Sequence, residues 1–316
     1  MNELQLPPNT PAPSGNEWLE CMRRGDFEAA WRISDVVLRQ RAGEPCWHRP
    51  RHEQWIWKGG SLAGKRVLVR CYHGLGDTVH FIRYAPVLKR VAREVVVWAQ
   101  PALLPLLETV EGIDELLPLH DGSPETGYDV DVELMELPHV FRTTLETIPN
   151  RVPYFRVPRR EGVKGELAVG VTWRAGEWNR ERWVPAGLVA LLALVPGVRL
   201  YVLQDRASAG EWPEVCGPML CPESLTALAE AIAMMDLVIT VDTLAAHLAG
   251  ALGVPTWTLL PKNADWRWME GRSDSPWYPT MRLWRQETAG EWEPVMERVA
   301  GELRQRAASA PKAVRQ

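Results

Sequence analysis

The chain has 316 residues, 46% hydrophobic and 24% charged, with a formal net charge of −4. That length allows two domains of ordinary size, and the slight acidity offers no basic field for nucleic acid. No apolar run reaches the about 18 residues expected of a membrane-spanning helix, and five cysteines without a C-x-x-C pair point to free thiols in a reducing cytoplasm rather than a zinc site or disulfide framework.

Residues 1–15 are polar and proline-rich, lack the basic start and apolar core of a signal peptide, and read as a disordered tail. Around Gly25-Asp-Phe-Glu-Ala-Ala-Trp31, residues 17–41 carry helical periodicity. This pair of helices is similar to one tetratricopeptide-type hairpin, which cannot bury its face alone and is expected to pack on the next domain. A loop rich in Trp, His, Pro and Gly follows over 42–64. Strands are predicted over 66–71, 94–98, 115–118 and 130–134, with helices over 78–92, 101–109 and 137–143. Continuous apolar strands between amphipathic helices predict a parallel sheet covered on both faces, an α/β fold. The charged stretch 157–165 marks a domain boundary. A second series has strands over 167–173, 199–204, 237–241 and 255–260 and helices over 185–194, 224–233 and 243–252, with Gly253 placed as a C-cap glycine. A last amphipathic helix covers 291–305. The expected units are therefore a tail (1–15), hairpin and loop (16–63), N-terminal domain (64–158), C-terminal domain (159–290), and final helix with tail (291–316). The 16 tryptophans read mainly as core and loop packing.

Four stretches carry chemistry. In Gly74-Leu-Gly76-Asp77-Thr78 a glycine turn joins a buried strand to a helix expected to open on Asp77 and Thr78. Gly74 and Gly76 permit a tight turn and close approach of another group. Asp77 stands either as a base for an acceptor hydroxyl or as an N-cap. The third glycine of a dinucleotide fingerprint is absent, since Val79 occupies its place. In Thr240-Val-Asp242-Thr243-Leu-Ala-Ala-His247, the helix start at Asp242 and Thr243 suits a diphosphate. His247, about one turn inside, either reaches back to a phosphate or ribose or is a core histidine. The loop Trp173-Arg174-Ala-Gly-Glu-Trp-Asn-Arg180-Glu-Arg182 is basic and follows a buried strand. Arg174 and Arg182 stand either against a departing diphosphate or in surface ion pairs. The fourth, aromatic stretch 261–279, either walls a cleft or is a packed loop. The alternation Asp129, Asp131, Glu133 invites a metal, but period-two spacing fits a solvated strand face better.

Taken in order, Gly74-Leu-Gly-Asp-Thr, Phe81-Ile-Arg-Tyr84, Leu145-Glu-Thr-Ile-Pro149, Val241-Asp-Thr with His247-Leu-Ala-Gly250, Asp265-Trp-Arg-Trp268 and Ser275-Pro-Trp-Tyr-Pro279 form one pattern. It resembles the bacterial GT-B glycosyltransferases of the heptosyltransferase-like group, especially members carrying tetratricopeptide repeats, over roughly residues 64–303. The resemblance implies two Rossmann-like domains facing a cleft, and transfer from a nucleotide-diphosphate sugar to a hydroxyl with no metal or other cofactor. It implies catalytic roles for Asp77 as base and Arg182 at the phosphate. It implies donor binding by Gly74, Gly76, Thr78, Trp173, Arg174, Gln204, Asp242, Thr243 and His247. The last helix would return to the N-terminal domain. The acceptor would be a glycan, a lipid-linked sugar or a protein side chain, met in the cytoplasm. The chain departs from the pattern at Tyr72-His73, where relatives often show Glu-Gln, at His80, often Gln, and at Leu244, where heptosyltransferases have Gly. Leu244 narrows the approach to the phosphate.

Two other readings use the same frame. A sugar-nucleotide epimerase would act on the donor without an acceptor, and a non-catalytic module would bind a nucleotide or a protein.

Overall fold

The computed structural model describes residues 15–158, 166–204 and 210–309. The expected tail, most of the charged boundary segment and the last residues therefore lie outside the described residues.

Two wholly parallel sheets form the frame. The first has four strands in the order β3-β2-β1-β4: β1 (Arg66–Arg70), β2 (Glu94–Ala99), β3 (Glu115–Pro118) and β4 (Val130–Glu133). The second has five in the order β6-β5-β7-β8-β9: β5 (Leu167–Thr172), β6 (Val198–Val202), β7 (Leu237–Val241), β8 (Thr256–Leu260) and β9 (Met281–Arg285). In both sheets the order reverses direction beside the first strand, which is where open α/β sheets make a crevice at their carboxyl ends. Strand β9 is absent from the sequence reading. It is a short edge strand with Arg282 exposed, and the aromatic stretch before it masks its alternation.

The first sheet departs from the expected two-sided helical cover. One face, with Val67, Val69, Val95 and Val97, packs into the main core with the helices. The other face has a small apolar cluster of Leu68, Val96 and Trp98, with Tyr72, Leu117 and Leu119 against them and the buried Arg70 beside Trp98. There the connecting loop supplies the cover, with the Arg51 guanidinium 5.2 Å from the ring centres of both Tyr72 and Trp98.

The predicted helix over 78–92 is three pieces: α3 (Leu75–Phe81), a 3₁₀ turn (Ile82–Tyr84) and α4 (Ala85–Lys89). Pro86 sits in the first turn of α4, where its missing N–H costs nothing. The short helices α5 (Leu104–Leu107), α6 (Leu137–Val140) and α7 (Ala186–Ala190) follow, and in the second half α8 (Leu225–Ala233) is capped by Ser224, whose hydroxyl accepts the Ala227 N–H at 3.1 Å. Helix α9 (Leu244–Ala251) is almost wholly buried, because its alanines and Gly250 let it lie close to the sheet.

The N-terminal hairpin is α1 (Gly15–Arg24) and α2 (Phe27–Gln40). It packs on both halves. Trp31 Nε1 donates to the Thr143 carbonyl at 2.6 Å, and Asp35 holds His139 and Arg142. On the other side Trp18 meets Trp266 edge-on at 5.4 Å, and the Glu270 N–H donates to the Arg23 carbonyl at 2.8 Å.

The last helix, α10 (Glu293–Ser309), corrects one expectation of the resemblance. Its buried face of Val295, Met296, Val299 and Leu303 joins the core of the second sheet, with Trp257 and Trp284. Its apolar stripe is used there, so it does not return to the N-terminal domain. Among the described residues no helix is long and apolar enough to cross a membrane.

Candidate functional site

The carboxyl ends of both sheets face one another, and α3 packs on α9. The helix at the glycine turn opens at Leu75, two residues earlier than expected, with Gly74 at the N-cap position. Asp77 is therefore the third helical residue, and its Oδ2 accepts the Gly74 N–H at 3.0 Å. Base and cap are not exclusive here, because one oxygen caps while the side chain stays part-exposed. Gly76 fits the close-approach expectation: a Cβ there would meet the His247 ring at 3.2 Å. Thr78 is buried, and its hydroxyl donates to Gln100 Oε1 at 3.0 Å, so it braces the turn.

The other oxygen of Asp77 meets a residue the sequence reading did not assign. Arg267 Nη2 lies 2.6 Å from Asp77 Oδ1, and its Nη1 lies 2.8 Å from Asp265 Oδ1. Burial works against the Arg267 charge, yet Asp265 and Asp77 together hold its pKa above the ordinary range. The motif Asp265-Trp-Arg-Trp268 was the available signal. Nothing local ties it to Asp77, 190 residues away.

On the C-terminal side a pocket of about 540 Å³ opens at the ends of β5 and β7. Arg174, Gln204, Ser224, Thr243 and Leu244 line it, and Leu75 reaches it from the opposite half. The starts of α8 and α9 thus both point main-chain N–H groups toward this space. Gln204 Oε1 accepts the N–H groups of Trp173 and Arg174 at 3.1 and 3.0 Å, which fixes the end of β5. Arg174 is in an ion pair with Glu211 at 2.8 Å and lies 4.0 Å from the Trp183 ring centre.

Three of the expected site residues, Trp173, Arg182 and Asp242, do not line this pocket. The Trp173 ring is fully buried, stacked on Trp212 at 5.0 Å, so its side chain belongs to the core and only its main chain reaches the pocket edge. Arg182 is buried, and its Nη1 donates to the Asp242 carbonyl at 2.8 Å with Trp178 over its guanidinium. Burial pulls its pKa below the ordinary range. Asp242 is buried too. Burial and the neighbouring Asp265 push its carboxyl up to about 6, against the pull of Arg182.

His247 is buried. Its Nδ1 lies 3.0 Å from the Tyr278 hydroxyl, its ring stacks on Trp268 at 5.3 Å, and burial lowers its pKa to about 3. The acidic strand also differs from expectation. Asp131 pairs with Arg70 and Asp129 with Arg93, whereas Glu133 is buried and accepts the Met135 and Tyr72 N–H groups. Among the described residues no group of three or more His, Cys, Asp or Glu is placed to hold a metal.

Residues 204–277 match glycosyltransferase family 9 (heptosyltransferase), a segment running from Gln204 through Asp242, His247 and Arg267. The architecture is GT-B, as in two solved structures. The family 9 glycosyl transferase of Veillonella parvula superposes with a TM-score of 0.60 at 14% identity, covering 78% of this chain and 99% of that one. The ADP-heptose lipopolysaccharide heptosyltransferase II of E. coli superposes with a TM-score of 0.56 at 17% identity, covering 76% and 99%. The chain thus shares the GT-B fold of these two enzymes, and its segment 204–277 is similar to the heptosyltransferase family. A curated relative, protein FlbA of Caulobacter vibrioides, is 28% identical over 297 residues, covering 80% of this chain. The chain spans about half the length of that relative, at 48%.

Proposed function

We propose that the chain moves a sugar from a nucleotide-diphosphate sugar to an acceptor hydroxyl by direct displacement, without a metal. The observation that carries this is the pocket at the ends of β5 and β7, where Arg174 and two helix starts face the turn that presents Asp77. The acceptor oxygen bonds to the anomeric carbon while its proton passes to Asp77. The bond from that carbon to the phosphate oxygen breaks, and the electron pair leaves with the nucleoside diphosphate. Arg174 and the N–H groups at Thr243 and Leu244 stabilise that leaving charge. Arg182 supports them by holding the Asp242 carbonyl. Closure around the donor excludes water and limits its hydrolysis. ADP-heptose belongs to the E. coli neighbour's description. Here UDP- and GDP-sugars stand beside ADP-sugars as candidate donors, because the diphosphate that the helix starts would hold is common to all three. The acceptor is a glycan, a lipid-linked sugar or a protein side chain. A cytoplasmic setting fits the five unpaired thiols.

The test is calorimetric titration with ADP, UDP and GDP and their sugars, followed by Asp77→Asn. The variant is expected to keep nucleotide binding and lose transfer. Unchanged turnover would remove Asp77 from its role, and no binding by any nucleotide would favour a non-catalytic module.

A further inference from the structure

The Arg267 side chain is shared between the two halves of the molecule. It rises from the turn after β8, where Asp265 holds it twice: Asp265 Oδ1 accepts the Arg267 main-chain N–H at 3.0 Å and Nη1 at 2.8 Å. Phe81 and Trp266 flank the guanidinium, with ring centres 5.3 and 4.7 Å away. Its second carboxylate, Asp77, belongs to the opposite sheet. The Met135 sulfur lies against the same Nη2 at 3.8 Å, and Nε is buried without a partner among the described residues. Separating the halves would leave the guanidinium with Asp265 as its one carboxylate and would put water in place of Asp77, Phe81 and Met135.

We infer that Arg267 is the positioning residue for Asp77, a fork that fixes the carboxylate toward the cleft when the two halves are closed on each other. With Oδ1 held by Arg267 and Oδ2 by the Gly74 N–H, rotation of the carboxylate is restrained, and its part-exposed side is left for an acceptor hydroxyl. The C-terminal half thereby controls the geometry of a base it does not carry. Base placement and closure become one event, so an open molecule lacks an aligned base. Lysine cannot take over, because a single ammonium does not bridge two carboxylates in a fixed plane.

This inference rests on the glycosyltransferase reading and deepens it. The experiment uses the full chain with Arg267→Lys, Arg267→Ala and Asp265→Asn, and a panel of ADP-, UDP- and GDP-sugars. Nucleoside diphosphate release gives kcat and KM, and calorimetry gives nucleotide affinity. Arg267→Lys keeps a cation in the buried site and is the variant expected to fold. It should lose about 100-fold in kcat, as a misplaced reacting group does, with nucleotide affinity changed less than about threefold. Added guanidinium ion should restore part of the turnover of Arg267→Ala. Equal turnover in Arg267→Lys overturns the inference, as does a loss of nucleotide affinity in step with turnover and without rescue. A wild type that binds none of these nucleotides sinks the glycosyltransferase reading and this inference together, whereas a wild type that binds a donor and releases its diphosphate, with water as the acceptor, and is matched by Arg267→Lys sinks the inference alone.

Discussion

His80 and His247 come from opposite halves of the molecule and meet on one phenol: the Nδ1 of each lies 3.0 Å from the Tyr278 hydroxyl. A phenol carries one proton, so one imidazole accepts it and the other donates its own Nδ1–H. Both rings are buried, and burial drives the pKa of each below the ordinary histidine range. The ring that accepts the phenol proton must be neutral, burial favours the neutral form of both, and the arrangement closes the seam between α3 and α9 from the inside.

Removing that hydroxyl isolates two buried nitrogens at once. Tyr278→Phe is expected to lower stability by about 1–3 kcal/mol, the cost of leaving buried polar groups unpaired. Urea unfolding of the two proteins measures it. A variant as stable as the wild type would mean that water satisfies both rings.

The same pair sets an acid limit. The folded pKa of His247 is about 3, against an ordinary value of 6.5, and that of His80 is also depressed. Unfolding therefore takes up protons below about pH 6.5. The stability they contribute is present above that pH and is lost as pH falls toward 3. The melting temperature of wild type should drop between pH 6.5 and 4, and His247→Gln should flatten that drop. An identical slope in the variant would remove His247 as its source.

Gly250 lies under the Tyr278 ring, and a Cβ there would come within 2.4 Å of Cδ1. The ring cannot yield while two histidines hold its hydroxyl. Gly250→Ala is expected to destabilise by about 1–3 kcal/mol through overpacking, despite the better helix propensity of alanine. Chemical denaturation decides it, and a more stable variant would show that the ring moves freely.

Arg174 lines the pocket at the ends of β5 and β7, its guanidinium paired with the exposed Glu211 and Glu177 and lying against Trp183. Arg174→Ala should weaken nucleoside diphosphate binding by about tenfold, the scale of one charge-assisted hydrogen bond. Calorimetry with the diphosphate and with the bare nucleoside separates the cases. The nucleoside should be indifferent to the change, and an equal loss for both would move Arg174 off the phosphate.

Much of the frame was legible because it is local. Strands such as Val67-Leu-Val and Leu237-Val-Ile are short apolar runs bounded by turn residues, and the burial of each follows from its own composition. The glycine turn and the small residues of α9 also announce close approach without reference to distant segments. Boundaries slipped where two signals competed. Asp77, read as either a base or the N-cap residue, is the third helical residue and caps by reaching back to the Gly74 N–H. Strand β9 was hidden behind an aromatic stretch.

The amino-acid sequence by itself determined two parallel sheets, the turns at their carboxyl ends and the residue types gathered there, because apolar periodicity and turn chemistry act over a few residues. Only the tertiary structure decided that Arg267 holds Asp77, that Trp173 and His247 are packed inward, and that α10 stays on its own sheet. Those outcomes depend on which remote surfaces exclude water together, and neither burial nor charge pairing across 190 residues leaves a mark on the neighbouring sequence.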